Sequence, residues 1–152
     1  MASLKIGDRA PEFDLPTGDG KKLSLKDLKG KKVVLYFYPK DDTSGCTKEA
    51  CSFQDNLKSI EKKGAVVIGV SPDGVDSHRK FAGKHKLTFP LVSDEKKEII
   101  KKYGVWKEKS MYGKKYMGVE RTTFIIDGKG MVSHIFPKVK VDGHTEEILA
   151  AL

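Results

Sequence analysis

A chain of 152 residues, 38% hydrophobic and 33% charged, has the length of one domain and enough apolar material for a core under a very polar surface. Its net charge of +8 raises nucleic acid as a partner, but Arg9, Arg79 and Arg121 are its arginines and its lysines run the whole length without a row of interleaved aromatics, which argues for a solvated surface and no nucleic-acid binding. The longest apolar runs, such as Val33–Tyr38 and Ala65–Val70, fall far short of the about 20 residues of a membrane span, and Met1–Asp8 lacks an apolar signal region, so a soluble, cytoplasmic, single domain over 1–152 is expected.

In chain order, Pro11–Pro16 alternates polar and apolar residues and reads as a short edge strand, with Lys22–Leu25 as its hairpin partner. Val33–Tyr38 is a continuous β-branched and aromatic run of the kind covered on both faces of a parallel sheet. The spacing of Ala50, Phe53, Leu57 and Ile60 predicts a helix from about Gly45 to Lys63, with Gly64 as its C-terminal cap. Ala65–Ser71 is a second buried strand, Val75–His85 a helix, Leu91–Val92 the start of a short strand, and Glu95–Tyr103 another helix. Val105–Val119 reads as an irregular, polar connection. Thr122–Asp127 and Met131–Phe136 are strands around a hairpin turn at Asp-Gly-Lys-Gly, and Thr145–Leu152 is a closing helix. The order β-α-β-α-β-α-β-β-α predicts an α/β, thioredoxin-like fold, a mixed central sheet flanked by helices on both faces.

The chemistry concentrates in Tyr36–Cys51. A buried strand there runs through a polar turn into a helix that opens on Cys46, with Cys51 the other cysteine. Unpaired N–H groups at a helix start favour negative charge, and the thiolate is the reactive form of cysteine. Two cysteines in an intracellular chain argue for catalysis or a metal rather than a structural disulfide. The histidines, His78, His85, His134 and His144, stand isolated in sequence, and Cys-x4-Cys is not a zinc pattern, so no metal is expected. Thiol reduction of a hydroperoxide needs a thiolate, donors for the peroxide oxygens and a second thiol that removes the sulfenic acid. Cys46, then Thr43 with the Cys46 N–H and a remote guanidinium, then Cys51 are candidates for these parts.

Magnitudes rank them. An unperturbed thiol is roughly 3% ionised at pH 7, so full ionisation gains at most about 30-fold, while a single donor aimed at the transition state is worth ~100-fold or more. Arg121 and Thr43 therefore matter at least as much as thiol ionisation. On an ideal helix the Cα atoms of residues 46 and 51 lie roughly 8–9 Å apart on different faces, beyond the about 7 Å a disulfide spans. A Cys46–Cys51 bond therefore requires the first helical turns to unwind. The residues alone leave open that Cys51 is an ordinary helix position and that an external thiol serves Cys46.

Pro39-x-x-x-Thr43-x-x-Cys46, with Arg121 in Arg-Thr-Thr-Phe-Ile-Ile-Asp, resembles the peroxiredoxin active-site motifs. The bacterioferritin comigratory protein (PrxQ) subfamily is the most similar. Its marks here are Tyr-Pro-Lys-Asp-x-Thr-x-Gly-Cys-Thr-x-Glu-Ala-Cys, Gly69-Val-Ser-x-Asp, Phe89-Pro-Leu-x-Ser-Asp, Tyr103-Gly-Val-Trp, Met111-Tyr-Gly-Lys and Tyr116-Met-Gly. The resemblance implies a thioredoxin-like fold and a thiol peroxidase for hydrogen peroxide and organic hydroperoxides. It implies Cys46 as peroxidatic and Cys51 as resolving cysteine, with Pro39 shielding the thiolate. Thr43 and Arg121 would complete the peroxide site and Glu49 would steer the arginine. Thioredoxin or a similar dithiol protein is implied as reductant, a monomer as the working form, and no metal, haem, flavin or selenium as cofactor. Two rivals remain at this point: a disulfide oxidoreductase that never meets peroxide, and a redox sensor that oxidises once.

Overall fold

The protein is described by a computed structural model over residues 4–152; Met1–Ser3, part of the N-terminal stretch read above, lie outside the described residues. A hairpin of β1 (Asp14–Pro16) and β2 (Lys22–Ser24) leads through a short 3-10 turn into β3 (Lys32–Phe37). Then follow α1 (Ser44–Asp55), α2 (Leu57–Lys62), β4 (Ala65–Ser71), α3 (Val75–His85), β5 (Leu91–Ser93) and α4 (Glu98–Lys102). The chain ends with β6 (Trp106–Met111), β7 (Lys114–Val119), β8 (Thr122–Ile126), β9 (Val132–Phe136) and α5 (His144–Ala151).

The central sheet has the order β5-β4-β3-β8-β9. β3 pairs parallel to β4 and antiparallel to β8, so the apolar run at its centre is covered on both faces, as its composition demands. Alternate residues of β3 divide between two cores. Val33, Leu35 and Phe37 pack with Ile99 and Ile100 of α4 and with Phe13 and Leu25. Val34 and Tyr36 pack with α1, α2, α3 and α5 through Phe53, Ile60, Phe81 and Ile148. This second core contains Cys46, so the site is built where the α1 face meets the middle strand. The mixed sheet with helices on both faces is the α/β, thioredoxin-like architecture expected. Among the described residues no helix is long and apolar enough to cross a membrane.

Three expectations need correction. The helix read as Gly45–Lys63 is two helices, because Asn56 (φ −105°, ψ 8°) leaves the helical path and its side-chain amide donates to the Ser52 carbonyl at 2.9 Å. The helix read as Glu95–Tyr103 begins only at Glu98: Lys97 is left-handed (φ 59°), and the Asp94 carboxylate accepts the N–H groups of Glu98 (3.0 Å) and Ile100 (2.8 Å). The "irregular" Val105–Val119 segment is a regular antiparallel hairpin, β6–β7, paired from Trp106↔Val119 to Met111↔Lys114. Its residues from 111 to 117 are all exposed, so no buried face imposes a period-2 hydrophobic signal. Tyr112 (φ 52°) and Gly113 (φ 78°) form its two-residue turn, and tyrosine stands where Asn or Asp usually announces such a turn.

Candidate active site

The loop from Tyr38 to Thr43 carries the chain from the end of β3 to α1, and Cys46 is the third residue of that helix. Thr43 is the N-cap residue, yet its side chain caps no helical N–H. It instead donates to the Lys40 carbonyl at 3.0 Å. The first-turn N–H groups, that of Cys46 included, therefore keep their donor capacity. This differs from the expectation for Thr43: its proton is committed to the loop, which leaves the exposed hydroxyl oxygen as an acceptor. Pro39 is half-buried just beyond β3.

Arg121 arrives from far along the chain, at the bend between β7 and β8, where its carbonyl accepts the Val139 N–H at 2.9 Å. Its Nη2 donates to Cys46 Sγ at 3.2 Å and its Nη1 to Glu49 Oε1 at 2.6 Å. Cys46 and Glu49 are three residues apart, so one face of α1 presents both to a single guanidinium. Gly45 matters for that approach: a Cβ there would stand 3.3 Å from Arg121 Nη2. The structure thus brings together Cys46, Glu49 and Arg121 from the expected set.

Burial sharpens the electrostatics. Cys46 and Glu49 are each 2% exposed, while the Arg121 side chain is 18% exposed. Burial pushes the Glu49 carboxyl from its usual 4.5 to about 7, although Arg121 pulls the other way. Burial alone would lower the guanidinium, but the charges of Glu49 and Cys46 more than compensate and raise it. Glu49 Oε2 is buried without a hydrogen-bond partner, and so is the Tyr36 hydroxyl. Lys109 of β6 is half-buried; its ammonium is lowered by burial and by the Arg121 charge and raised by Cys46, so the hairpin adds a second cation to the site's field. No sequence signal marked Lys109, because it is one lysine among many in a segment without a hydrophobic pattern.

Cys51 lies on the same intact helix and is partly exposed. Burial first, and the nearby Asp55 charge second, push its thiol above the usual value. Both cysteines are free thiols. Beside this site lies a cluster the sequence left scattered. Asp41, Asp73 and His78 place one ligand atom each within 4.8 Å of one another. So His78 is isolated only in sequence, and it is fully buried. Its partners are protein groups, with Nδ1 2.7 Å from Asp41 Oδ2 and Nε2 3.0 Å from the Val92 carbonyl.

Against known proteins, the model of the AhpC/TSA family matches residues 6–135. A putative peroxiredoxin bcp of Coxiella burnetii is 54% identical over 150 residues, covering 99% of each chain. The peroxiredoxin Bcp of Bacillus subtilis is 47% identical, over 99% of this chain and 96% of its own. Among solved structures, a cysteine-to-serine mutant of Xylella fastidiosa PrxQ superposes with a TM-score of 0.93 at 38% identity, over 99% of this chain and 96% of that one. A Xanthomonas campestris peroxiredoxin Q mutant gives 0.88 at 43%, over 91% and 88%. A trapped intermediate/ligand complex structure of the X. campestris bacterioferritin comigratory protein, which concerns that protein's alkyl peroxide reduction activity, gives 0.87 at 42% identity, over 91% of this chain and 88% of that one.

Proposed function

Because the chain belongs to the AhpC/TSA family, as a thiol peroxidase of its Bcp/PrxQ peroxiredoxin branch, we propose that Cys46 is its peroxidatic cysteine and that it reduces hydrogen peroxide and alkyl hydroperoxides. The observation that carries this reading is the guanidinium of Arg121 placed between Cys46 Sγ and Glu49. The Cys46 thiolate attacks one peroxide oxygen, the O–O bond breaks, and the sulfur leaves as sulfenic acid while the departing alkoxide or hydroxide takes up a proton. Arg121 and the Cys46 N–H donate to the oxygens as charge moves onto the leaving group, the kind of donor worth ~100-fold or more. Thr43 accepts the peroxide O–H through its free lone pairs, Pro39 shields the sulfur, and Glu49 holds the arginine. Access to the sulfur runs past the guanidinium, since Cys46 is closed off while Arg121 and Gly45 are partly exposed.

Cys51 then attacks the sulfenic sulfur, releasing water and closing an internal disulfide. Both cysteines lie on the continuous helix α1, where their Cα atoms stand roughly 8–9 Å apart. The bond therefore forms after the first turns of α1 unwind. The raised thiol of Cys51 suits a group that waits for the sulfenic acid rather than competing for peroxide. With both thiols on one chain no second subunit is needed, so the working form is a monomer in a reducing cytoplasm, reset by thioredoxin or a similar dithiol protein. No metal, haem, flavin or selenium takes part. Mass spectrometry of the reduced protein after one equivalent of peroxide tests the sequence of events. The expected product has lost two hydrogens through a Cys46–Cys51 disulfide; a stable sulfenate on Cys46 would remove Cys51 from the cycle, and no change at Cys46 would remove the whole reading.

A further inference from the structure

The loop that delivers Cys46 is fastened at successive residues, and none of the fastenings made by Asp41 and Asp42 reaches α1. The Asp41 carboxylate accepts bonds from Tyr38 Oη (2.5 Å), Ser77 Oγ (2.8 Å) and His78 Nδ1 (2.7 Å). Its backbone N–H donates to Asp73 Oδ2 at 2.7 Å, and Asp73 is itself held by Ser71 Oγ at 2.8 Å. Asp42, in the left-handed region at φ 59°, is bound by Lys84 Nζ (2.9 Å) and His85 Nε2 (3.2 Å) of α3. The Asp42 pair is exposed and weak, whereas the Asp41–His78 pair is closed to solvent, with side chains 2% and 0% exposed.

His78 meets an acceptor at each ring nitrogen, a carboxylate on one side and the Val92 carbonyl on the other, so the ring donates from both. It thereby ties the loop to β5 as well as to α3. Burial alone would push the Asp41 carboxyl up, but the bonds from His78 and Tyr38 hold it below the usual range.

We infer that Asp41 and His78 are positioning residues of the peroxidase cycle: their buried pair holds the loop 38–43 on α3 and β5 while α1 unwinds, so that Thr43 and the Cys46 N–H return to one geometry after each disulfide is reduced. The inference rests on the proposed Cys46–Cys51 chemistry, because a helix that never opened would need no fixed point to close against. A misplacement of about 1 Å in such a site costs up to about 100-fold in rate.

The test follows two phases after rapid mixing with peroxide, oxidation of Cys46 and then disulfide closure, in wild type, Asp41→Asn, His78→Gln, His78→Asn and Ser77→Ala. Gln places an amide near the former Nε2 and so keeps a donor for Val92 while losing Asp41; Asn does the reverse. In Asp41→Asn and His78→Gln the first phase slows about 10- to 100-fold, disulfide closure keeps its rate or accelerates, and more peroxide is needed to over-oxidise Cys46. His78→Asn retains most of the wild-type first phase. Ser77→Ala, the mildest change, slows that phase roughly three- to tenfold and serves if the buried variants fail to fold. A Val132→Ala variant in the other core, on β9, supplies a control of lowered Tm. First phases equal to wild type in Asp41→Asn and His78→Gln, or in Ser77→Ala where those two fail to fold, would overturn the inference. So would a loss matched by the Val132 control, or His78→Gln outperforming His78→Asn. If wild type itself shows no disulfide phase, the Cys51 reading fails and the inference with it; if wild type shows both phases and the variants match it, only the inference fails.

Discussion

Cys46 and Cys51 share one helix and differ in almost every physical respect. Cys46 is buried against the aromatic core at the helix start, where unpaired N–H groups gather, and it accepts a hydrogen bond from a guanidinium. Cys51 is partly exposed, has a carboxylate as its charged neighbour, and has its thiol pushed up. The guanidinium reaches Cys46 from 75 residues further along the chain, and under the proposed chemistry it is such donors, which residue type alone does not supply, that set the peroxide-reducing sulfur apart. Five positions along a helix are enough to lose those donors.

The sharpest way to break the contrast is to exchange the sulfurs for oxygen. Cys46→Ser is expected to reduce peroxide consumption to the uncatalysed background, and activity within tenfold of wild type would move the nucleophile elsewhere. Cys51→Ser is expected to retain the first turnover within about threefold, since the interactions of its transition state are untouched, yet to stall with a dithiol reductant and accumulate sulfinic acid at Cys46 by mass spectrometry. Unimpaired cycling would place the resolving thiol outside this chain. Arg121→Ala is expected to slow Cys46 oxidation ~100-fold or more in stopped-flow measurements, with Arg121→Lys between the two because a point charge cannot bridge sulfur and carboxylate together. A loss under threefold would show that the guanidinium is a structural partner of Glu49 and no more.

The smallest effect belongs to Glu49 and is read in stability. Its folded value, about 7, lies above its usual 4.5 because it is buried. Between those values the folded protein retains a proton that the unfolded chain has released. Stability from this site is therefore present in full at low pH, falls as pH rises from about 4.5 to about 7, and stays lost above. Urea denaturation at pH 5 and pH 8 should show Glu49→Gln gaining on the order of 1–3 kcal/mol on wild type across that interval, whatever constant offset the lost Arg121 bond contributes. A difference independent of pH would mean that Glu49 stays ionised throughout and that Arg121 wins over burial.

The same opposition between local and convergent information explains what could be read in advance. β3, β4 and β8 were legible because strands covered on both faces carry runs of β-branched and aromatic residues, and α3, read over Val75–His85, because Phe81 and Ala82 set apolar positions on its core side. The break at Asn56 and the late start of α4 were not, since each depends on one side chain competing for a backbone group. The β6–β7 hairpin escaped because it is exposed along most of its length and turns on Tyr112-Gly113. Lys109, on that hairpin, escaped with it.

Sequence by itself determined the two cysteines and their spacing, the strand–turn–helix that puts Cys46 at a helix start, and an arginine ahead of β8, because these are local patterns or motifs that a chain writes in order. Tertiary structure alone decided that Arg121 reaches both Cys46 and Glu49, that the Thr43 proton turns to Lys40, and that Asp41 meets His78 across 37 residues. Hydrogen bonds between residues far apart in the chain have no signature in composition or periodicity. They arise when the sheet order brings the ends of β3, β4, β5 and β8 to one place and burial makes most unpaired polar groups too costly to leave there, Glu49 Oε2 and the Tyr36 hydroxyl being exceptions.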